Sequence, residues 1–406
     1  MKWLHFAWKN VLRNRRRALI TIVLATIGTA AVLLASGFAL ATYAALKENS
    51  ARQIGHVVIA HHDYFDNDEE TPLGHGLTDA QNLRTTLRQD PRIAAALPRI
   101  NYSGLISNGE KSAIFIGTGI DVAGELGVDA NALKVEQGRA LAERTAVDAL
   151  PEVMVAKDLA RNLKVHPGDV LTLLSTTSDG ALNGIDVQVA GIYATGTPEM
   201  DERAITTNLD SAQLLLRSSK VSTLSLYLKN LDEAPFIKEQ LAQRYPELAL
   251  RTWNDLADFY TKVHDLYDRI FGVLGIIIVL MVFFAVGNTM SMSITERTRE
   301  IGTLAALGTA RWRIVTNFTM ESGIIGLLGG ALGALLAGTV AQLVRTFPVM
   351  MPPPPGQTEG YPLLFDVTLP LNIKVMSVIF VLAVVAALIA AQRGVKKPIV
   401  EALQHV

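Results

Sequence analysis

Four long segments without a charged residue constrain this chain more than any other feature of its sequence. They are Ala18 to Leu46, Ile270 to Thr295, Ser322 to Val344 and Val375 to Gln392. An α-helix rises about 1.5 Å per residue, so roughly 20 apolar residues cross the hydrocarbon core of a bilayer. We therefore predict four transmembrane helices, at residues 18–46, 270–295, 315–345 and 374–392. The first segment alternatively reads as a signal peptide, but a signal core has about 7–15 residues and this one is far longer.

Basic residues beside these segments predict their orientation. Residues 1–17 carry six Lys or Arg and no acid, and more basic residues lie in 296–314 and 393–406, whereas 346–373 has none. Lys and Arg concentrate in cytoplasmic flanks. We therefore place a basic helix (1–17), a loop (296–314) and a tail (393–406) in the cytoplasm, and 47–269 and 346–373 outside it. The "RNRRR" cluster could bind nucleic acid, but beside a span such a cluster is more often an orientation signal, so we expect no nucleic-acid partner.

The large region between the first two spans, residues 47–269, has a mixed α and β pattern. Runs rich in β-branched residues predict strands at 56–60, 112–120, 170–175, 185–193 and 222–228. Helical spacing predicts a short helix at 210–217 and a longer one that starts at Asn254 and continues into the second span. Residues 46–54 continue the first span in the same way. The sequence thus predicts an α+β domain on two stalk helices.

A His- and acid-rich segment near the start of that domain raises the question of a metal site. Its candidate ligands are His61, His62, Asp63, Asp66, Asp68, Glu69, Glu70 and His75. Zinc favours His and carboxylates and calcium favours several carboxylates, but neither H-E-x-x-H nor EF-hand spacing occurs. Dense Asp, Asn, Glu and Pro are typical of a solvated loop, so we predict no metal here.

Several kinds of chemistry have no motif in this sequence. There is no cysteine, which excludes disulfides and thiolate sites. Neither a G-x-x-x-x-G-K-[ST] phosphate loop nor a G-x-S-x-G elbow occurs. The spans lack ionisable residues except at their edges, as at Glu321, whereas ion-coupled transporters bury such groups. We expect no enzyme activity or cofactor in this chain, and we expect a partner to supply the energy.

A row of small residues marks the third span. Its members recur every fourth residue: Ser322, Gly326, Gly330, Ala334 and Gly338. Small side chains let helix backbones approach closely in lipid. We therefore predict that this row packs against another helix.

The segment "ITERTREIGTLAALGTARWRI", residues 294–314, lies between two spans on the cytoplasmic side. Its charged start is followed by apolar residues at helical spacing, and Gly308 is a natural helix stop. The pattern predicts a short amphipathic helix. By itself it fits two interpretations equally, a helix seated on a cytoplasmic protein or an interfacial helix that contacts only lipid.

This segment, followed by a glycine-rich span, resembles the signature of the FtsX-like permeases. They belong to the ABC transporter class that includes MacB and the lipoprotein-releasing LolC and LolE. Further resemblances lie in "AWKNVLRNRRRALITIVLATIG", "VMVAKDLARNLKVHPGDVLTLL", "VAGIYATGTPEMDERAITTNLDSAQLLL", "TWNDLADFY" and "KKPIVEAL". The outer region is most similar to that of LolC and LolE. The loop motif alone is moderately specific, but the ordered set on a one-plus-three arrangement of spans is highly specific.

The resemblance implies a membrane α-helical protein with an α+β MacB-type periplasmic domain between helices one and two. It implies a multi-pass protein of the bacterial inner membrane, a dimer with itself or a second permease, surrounded by membrane lipid. A separate cytoplasmic ABC ATPase would bind ATP and magnesium. Movement of the stalk helices would transmit the conformational change of that ATPase to the periplasmic domain (mechanotransmission). The coupling residues implied by the motif are Glu296, Arg297, Glu300, Ile301, Gly302, Leu304, Ala305 and Gly308.

The sequence departs from LolC at residues 175–188. LolC has a long hairpin there, rich in Pro and Arg, that docks a carrier chaperone, whereas "STTSDGALNGIDVQ" is short and lacks both residues. A periplasmic carrier or adaptor is therefore an open partner. Two functions remain: a transporter that extracts or exports lipoprotein, lipid, peptide or drug, and an FtsX-like regulator of an external cell-wall enzyme. The large outer region favours the first.

Overall fold

The computed structural model describes residues 15–66, 71–128, 134–143, 149–353 and 360–395. The chain forms two compact units. The helical unit comprises residues 1–45, 262–351 and 362–406, and the sheet unit comprises 46–261 and 352–361.

In chain order the helices are α1 (Arg15–Ile54), α2 (Ala80–Leu87), α3 (Val122–Val128), α4 (Lys157–Leu163), α5 (Pro198–Asp201), α6 (Leu209–Leu216), α7 (Ala234–Arg244), α8 (Trp253–Leu256), α9 (Asp258–Glu296), α10 (Thr298–Ala306), α11 (Arg311–Thr346) and α12 (Leu369–Val395), with a 3₁₀ turn at Leu231–Glu233. The strands are β1 (Val57–His61), β2 (Ile93–Ser107), β3 (Ser112–Ile120), β4 (Lys134–Gly138), β5 (Glu152–Ala156), β6 (Val170–Thr176), β7 (Leu182–Ala194), β8 (Ala204–Asn208), β9 (Thr223–Leu228), β10 (Leu248–Thr252), β11 (Met350–Met351) and β12 (Tyr361–Pro362).

Four helices of the described chain, α1, α9, α11 and α12, are long and apolar enough to cross a membrane. This confirms the predicted number of spans and their one-plus-three arrangement. Each helix continues past the uncharged segment that predicted it, because charged residues at helix ends can remain helical outside lipid. Aromatic rings join α1 and α9 inside the helical unit, with centroids 5.7 Å apart for Phe38–Phe271 and 4.4 Å for Tyr43–His264.

Small residues of α11 face two neighbouring helices. On one side Ser322 Oγ donates to the Ala383 carbonyl of α12 at 2.9 Å, and a Cβ added at Gly326 would lie 3.0 Å from that of Ala383. On the other side, Cβ atoms added at Gly329 and Gly333 would lie within 2.5 Å of Ala25 and Thr29 on α1. Close helix packing through small residues of α11 is thus present.

The predicted row turns away from α12 towards its far end. Gly330 still faces Met376 of α12, but Gly338 is exposed and an added Cβ there would meet nothing within 4 Å. Helical residues advance by about 100°, so each four-residue step turns the row by about 40°. By Gly338 the row has turned about 160° from Ser322 and has left α12.

The sheet unit is built on one mixed ten-stranded sheet, in the order β10-β1-β9-β2-β3-β8-β5-β7-β4, with β6 paired to both β2 and β7. The β3–β8 and β5–β7 pairs are parallel and the others antiparallel. All five predicted strands are present, as β1, β3, β6, β7 and β9. Apolar side chains of the strands and of α2, α4, α6 and α7 form the main apolar core.

The second stalk begins later than predicted. A helix from Asn254 was expected, but α8 ends at Leu256 and α9 starts at Asp258. A capping box starts α8: the Thr252 N–H donates to Asp255 Oδ2 at 2.9 Å, and the Asp255 N–H donates back to Thr252 Oγ1. Ala257 leaves helical geometry, with φ −92° and ψ 60°, and this separates α8 from α9. From Asp258 the helix is unbroken through the second span.

Candidate functional site

The cytoplasmic segment predicted from the sequence folds as one short helix between two long ones. The Arg297 N–H donates to the Ile294 carbonyl where α9 ends, and α10 follows at once. Gly308 lies at φ +82°, in the left-handed region, which ends the helix and permits the turn into α11. The predicted amphipathic helix is therefore present, and it is shorter than the segment that predicted it.

The predicted coupling residues divide into exposed and buried sets. Glu296, Glu300, Leu304 and Gly308 are exposed, while Ile301 and Gly302 are buried. The side chain of Ala305 lies outside the described residues. The neighbouring Leu307 is 78% exposed and Trp312 65% exposed. Arg299, Arg311 and Arg313 are exposed as well, so the described part of the segment presents a surface of mixed charge with apolar residues.

Arg297 does not belong to that surface. Its side chain is 8% exposed, and NH1 donates to Glu321 Oε2 on α11 at 3.0 Å. The guanidinium also lies 5.8 Å from the centre of the Phe318 ring. A buried charge needs a partner, and Glu321 supplies one. The structure therefore assigns Arg297 to holding α10 against α11, and not to direct contact with another protein. The sequence showed Glu321 only as an edge residue, because its partner lies 24 positions away.

A second arrangement lies in the sheet unit, where α1 ends on the sheet. The last four carbonyls of a helix have no partner within the helix. Here all four accept hydrogen bonds: Ala51 from the Gly55 N–H, Arg52 from the Tyr227 hydroxyl, Gln53 from Arg99 NH1, and Ile54 from Ser225 Oγ. We call this arrangement the helix–sheet joint, formed by residues 51–55, Arg99, Glu125, Ser225 and Tyr227.

Arg99 is the centre of the joint. Nε and NH2 donate to the two Glu125 carboxylate oxygens at 2.8 and 3.1 Å, and NH2 also donates to the Tyr227 hydroxyl at 2.6 Å. Burial lowers the pKa of Arg99, but the Glu125 carboxylate and Tyr227 more than offset this, so the pKa lies above its ordinary value. Its positive charge faces the negative end of the α1 dipole, a favourable arrangement.

The joint leaves little room for movement of the chain. Gly55 lies at φ +99°, and an added Cβ would lie 2.7 Å from Ser225 Cβ. The next residue, His56, donates its N–H to the Leu226 carbonyl, and its Nδ1 accepts from the Leu228 N–H at 2.9 Å. Burial lowers the pKa of His56, which keeps the ring neutral as this acceptor requires. The end of α1 and the start of β1 are thereby fixed to β9.

A cleft of about 710 Å³ opens beside the joint, within the sheet unit. Its lining combines aromatic and polar side chains, including Tyr64, Phe65, Arg99, Thr195, Tyr227 and Tyr260. Pockets of this volume hold small ligands or one segment of a larger one. The mixed lining suits an amphiphilic molecule better than a purely apolar one.

The fold brings three of the candidate metal ligands together. One ligand atom from each of His61, Asp63 and His75 lies within 4.8 Å of the other two. Asp66 turns away to pair with Arg251 at 2.6 Å. His62 is not in the group, and Asp68, Glu69 and Glu70 lie outside the described residues.

Two family models match the sequence. The MacB-like periplasmic core domain matches residues 18–244, and the FtsX-like permease C-terminal model matches residues 272–399. The first match includes every residue of the joint, and the second includes the whole 294–314 segment.

Individual relatives are more distant. The lipoprotein-releasing system transmembrane protein LolC of Xylella fastidiosa is 26% identical over 285 residues, which are 68% of this chain and 66% of LolC. The macrolide export ATP-binding/permease protein MacB of Aggregatibacter actinomycetemcomitans is 23% identical over 283 residues, 63% of this chain and 41% of MacB. The chain thus spans less than two thirds of the length of these relatives. The crystal structure of the periplasmic region of MacB from Actinobacillus actinomycetemcomitans aligns with a TM-score of 0.35 at 16% identity, covering 51% of this chain and 93% of that one.

Proposed function

Because this chain belongs to the FtsX-like permease family and carries its MacB-like periplasmic core domain, we propose that it is the permease subunit of an ABC transporter that works by mechanotransmission. ATP hydrolysis in a separate subunit moves the transmembrane helices, and α1 and α9 carry that motion into the sheet unit. The observation that carries this proposal is the helix–sheet joint. A helix whose last three carbonyls are bonded to side chains of the sheet transmits displacement to the sheet and does not slide past it.

The cytoplasmic segment is the proposed contact with the ATPase. Its exposed acidic and apolar residues, Glu296, Glu300, Leu304 and Leu307, form a surface suited to a protein groove. The buried ion pair between Arg297 and Glu321 connects the start of α10 to α11. A displacement of α10 is therefore transmitted to α11 as well as to α9.

The proposed orientation follows from the basic flanks. Both termini and the 296–314 segment face the cytoplasm of a bacterial cell, and the sheet unit faces the periplasm. The spans carry no ionisable relay, which supports an external energy source over ion coupling. A second permease copy, or a related permease, completes the proposed complex in the lipid bilayer.

The proposed substrate class is lipoprotein, lipid or another hydrophobic or peptide molecule taken from the inner membrane or periplasm. Similarity to LolC supports lipoprotein or lipid, and similarity to MacB supports export of an amphiphilic compound. The cleft, with aromatic and polar residues together, suits a substrate that has both an apolar and a polar part.

Reconstitution with an ABC ATPase subunit from the same organism tests the proposal. The permease and ATPase should co-purify, and ATP should drive release of a bound lipoprotein from proteoliposomes. Leu304→Asp, at a position 42% exposed, should abolish co-purification, while Leu182→Asp, an exposed leucine of the sheet unit, should not. Normal co-purification of the Leu304 variant would reject the assigned contact. ATP-dependent activation of a cell-wall hydrolase without any release would instead establish the regulator.

A further inference from the structure

The loop after β1 holds a grouping that the proposed function does not use. We propose that His61, Asp63 and His75 form a zinc-binding site on the sheet unit, with one imidazole nitrogen from each histidine and a carboxylate oxygen from Asp63 as ligands. This reverses the expectation from the sequence, where the spacing of these residues matched no metal motif. The inference does not rest on the transport proposal.

The distances are close to those a zinc ion requires. Zinc binds His nitrogen and carboxylate oxygen at about 2.0–2.2 Å in tetrahedral geometry, which puts its ligand atoms about 3.4 Å apart. His61 Nδ1 and Asp63 Oδ2 are 3.7 Å apart. The widest separation within the group is at most 4.8 Å, so side-chain rotation can close it. The two imidazole rings are stacked with centroids 5.8 Å apart.

The ligand set favours zinc over harder cations. Calcium takes 6–8 oxygen ligands and magnesium strongly prefers oxygen. Two imidazoles and one carboxylate instead match the three-ligand zinc sites that leave one position for water. Two neutral imidazoles and one carboxylate also leave a net negative charge that a divalent ion neutralises.

The loop that carries the ligands is anchored on both sides of the site. On one side Arg251 pairs with Asp66 and stacks over Phe65 at 4.7 Å, and the Tyr64 hydroxyl accepts from Asn101. On the other side, the side chain of Leu73 is fully buried, and the Leu77 N–H donates to the Val221 carbonyl at 2.8 Å, which ties the end of the loop to the residues before β9. The ligands are therefore held near each other before any ion binds, which lowers the ordering cost of binding.

The position of the site gives it a structural consequence. Tyr64 and Phe65 follow Asp63 directly and line the cleft. An ion bound by His61, Asp63 and His75 would link the two sides of the loop and restrict both aromatic side chains. Zinc occupancy is therefore expected to reduce the motion of this part of the cleft wall.

The test is zinc binding to the full-length chain in detergent, purified without a histidine tag and stripped with a chelator. Competition with a chromophoric zinc indicator should show one site that His61→Ala and His75→Ala each weaken at least about tenfold. Asp63→Asn should weaken it too, and it preserves the backbone N–H that donates to His61. Calcium at the same concentration should not compete.

Two matched controls give the experiment its specificity. His62→Ala removes the adjacent imidazole. His166→Ala removes the imidazole of a similar His–Asp pair, 3.9 Å from Asp169, which has no third candidate ligand among the described residues. Both variants should bind zinc as the parent does. Zinc should also slow hydrogen exchange in residues 60–66 of the parent but not of the His75 variant. Absence of bound zinc, or binding equal in all variants, would overturn the proposal.

Discussion

Replacing Arg99 by methionine should open the helix–sheet joint. The substitution keeps an unbranched apolar stem and removes the charge and all donors. Glu125, whose side chain is only 9% exposed, would lose its bidentate partner. Removing one partner of a buried ion pair leaves the other charge uncompensated, which lowers the free energy of unfolding by about 3–5 kcal/mol. The carbonyls of Gln53 and Ile54 would also lose donors, although the neighbouring cleft admits water that can replace part of that loss.

Hydrogen exchange of the full-length protein measures this cost. The peptides that report it cover residues 52–58 and 223–229, where the His56 N–H and the Leu228 N–H are bonded inside the joint. A loss of about 3–5 kcal/mol corresponds to exchange faster by about 100- to 4,000-fold, since each 1.4 kcal/mol is about tenfold. Adding Glu125→Gln should recover part of the protection, because it removes the unpaired charge.

Arg92→Met is the matched control, because Arg92 precedes the same strand and pairs with Asp90 at 2.6 Å while one third exposed. Its effect should be much smaller, because solvent screens this exposed pair. If Arg99→Met changes exchange no more than Arg92→Met does, the joint does not hold the helix end. If exchange accelerates but ATP-driven release continues at the normal rate, the joint is structural and plays no part in coupling.

Four further predictions address the helices, the orientation and pH. Arg297→Met should destabilise the helical unit by about 3–5 kcal/mol, partly recovered by adding Glu321→Gln, as thermal unfolding in detergent will show; a change equal to that of exposed Arg313→Met would contradict it. Lys262→Pro should leave the ATPase bound and active but stop release, since an internal proline costs a helix about 3 kcal/mol and kinks it; normal release with a folded sheet unit would remove the lever mechanism. A cysteine at Ser178 should react with an impermeant reagent from the periplasmic side, and labelling only from the cytoplasm would refute the topology. The folded pKa of His56 is depressed below 6.5 by burial, so its contribution to stability is present above about pH 6.5 and is lost as pH falls through the folded pKa; the protection factor of the Leu228 amide, which is its exchange rate compared with the intrinsic rate at the same pH, should fall on acidification in the parent but not in His56→Gln.

The sequence was most informative where a feature depends on neighbouring residues. Uncharged runs predicted all four membrane helices, since burial in lipid requires apolar residues along the whole span. Runs rich in β-branched residues predicted β1, β3, β6, β7 and β9. The same reasoning missed β2, β4, β5, β8 and β10. Of these, β2, β4 and β10 contain few β-branched residues, so that pattern does not mark them.

The functional residues were harder to predict because their partners are distant along the chain. Arg99 reaches Glu125, Gln53 and Tyr227 from different elements, and nothing within its own strand indicates this. Arg297 belonged to the recognised motif, but its burial depends on Glu321. His61 and His75 are separated by a loop, so spacing alone gave no metal motif. Which side chains pair across different helices and strands depends on the fold, and a local sequence pattern does not predict it.

The place of the joint in the sheet has a consequence for how such proteins diversify. Arg99 lies on β2 and Ser225 and Tyr227 on β9, adjacent strands with β10 and β1 on one side and the rest of the sheet on the other. Strands β5, β7 and β4, at the far end of the strand order, contribute no donor to the end of α1. Insertions and substitutions there can accumulate over generations without loosening the attachment. The attachment of the helix to the sheet can therefore stay unchanged while the distant strands and their loops vary.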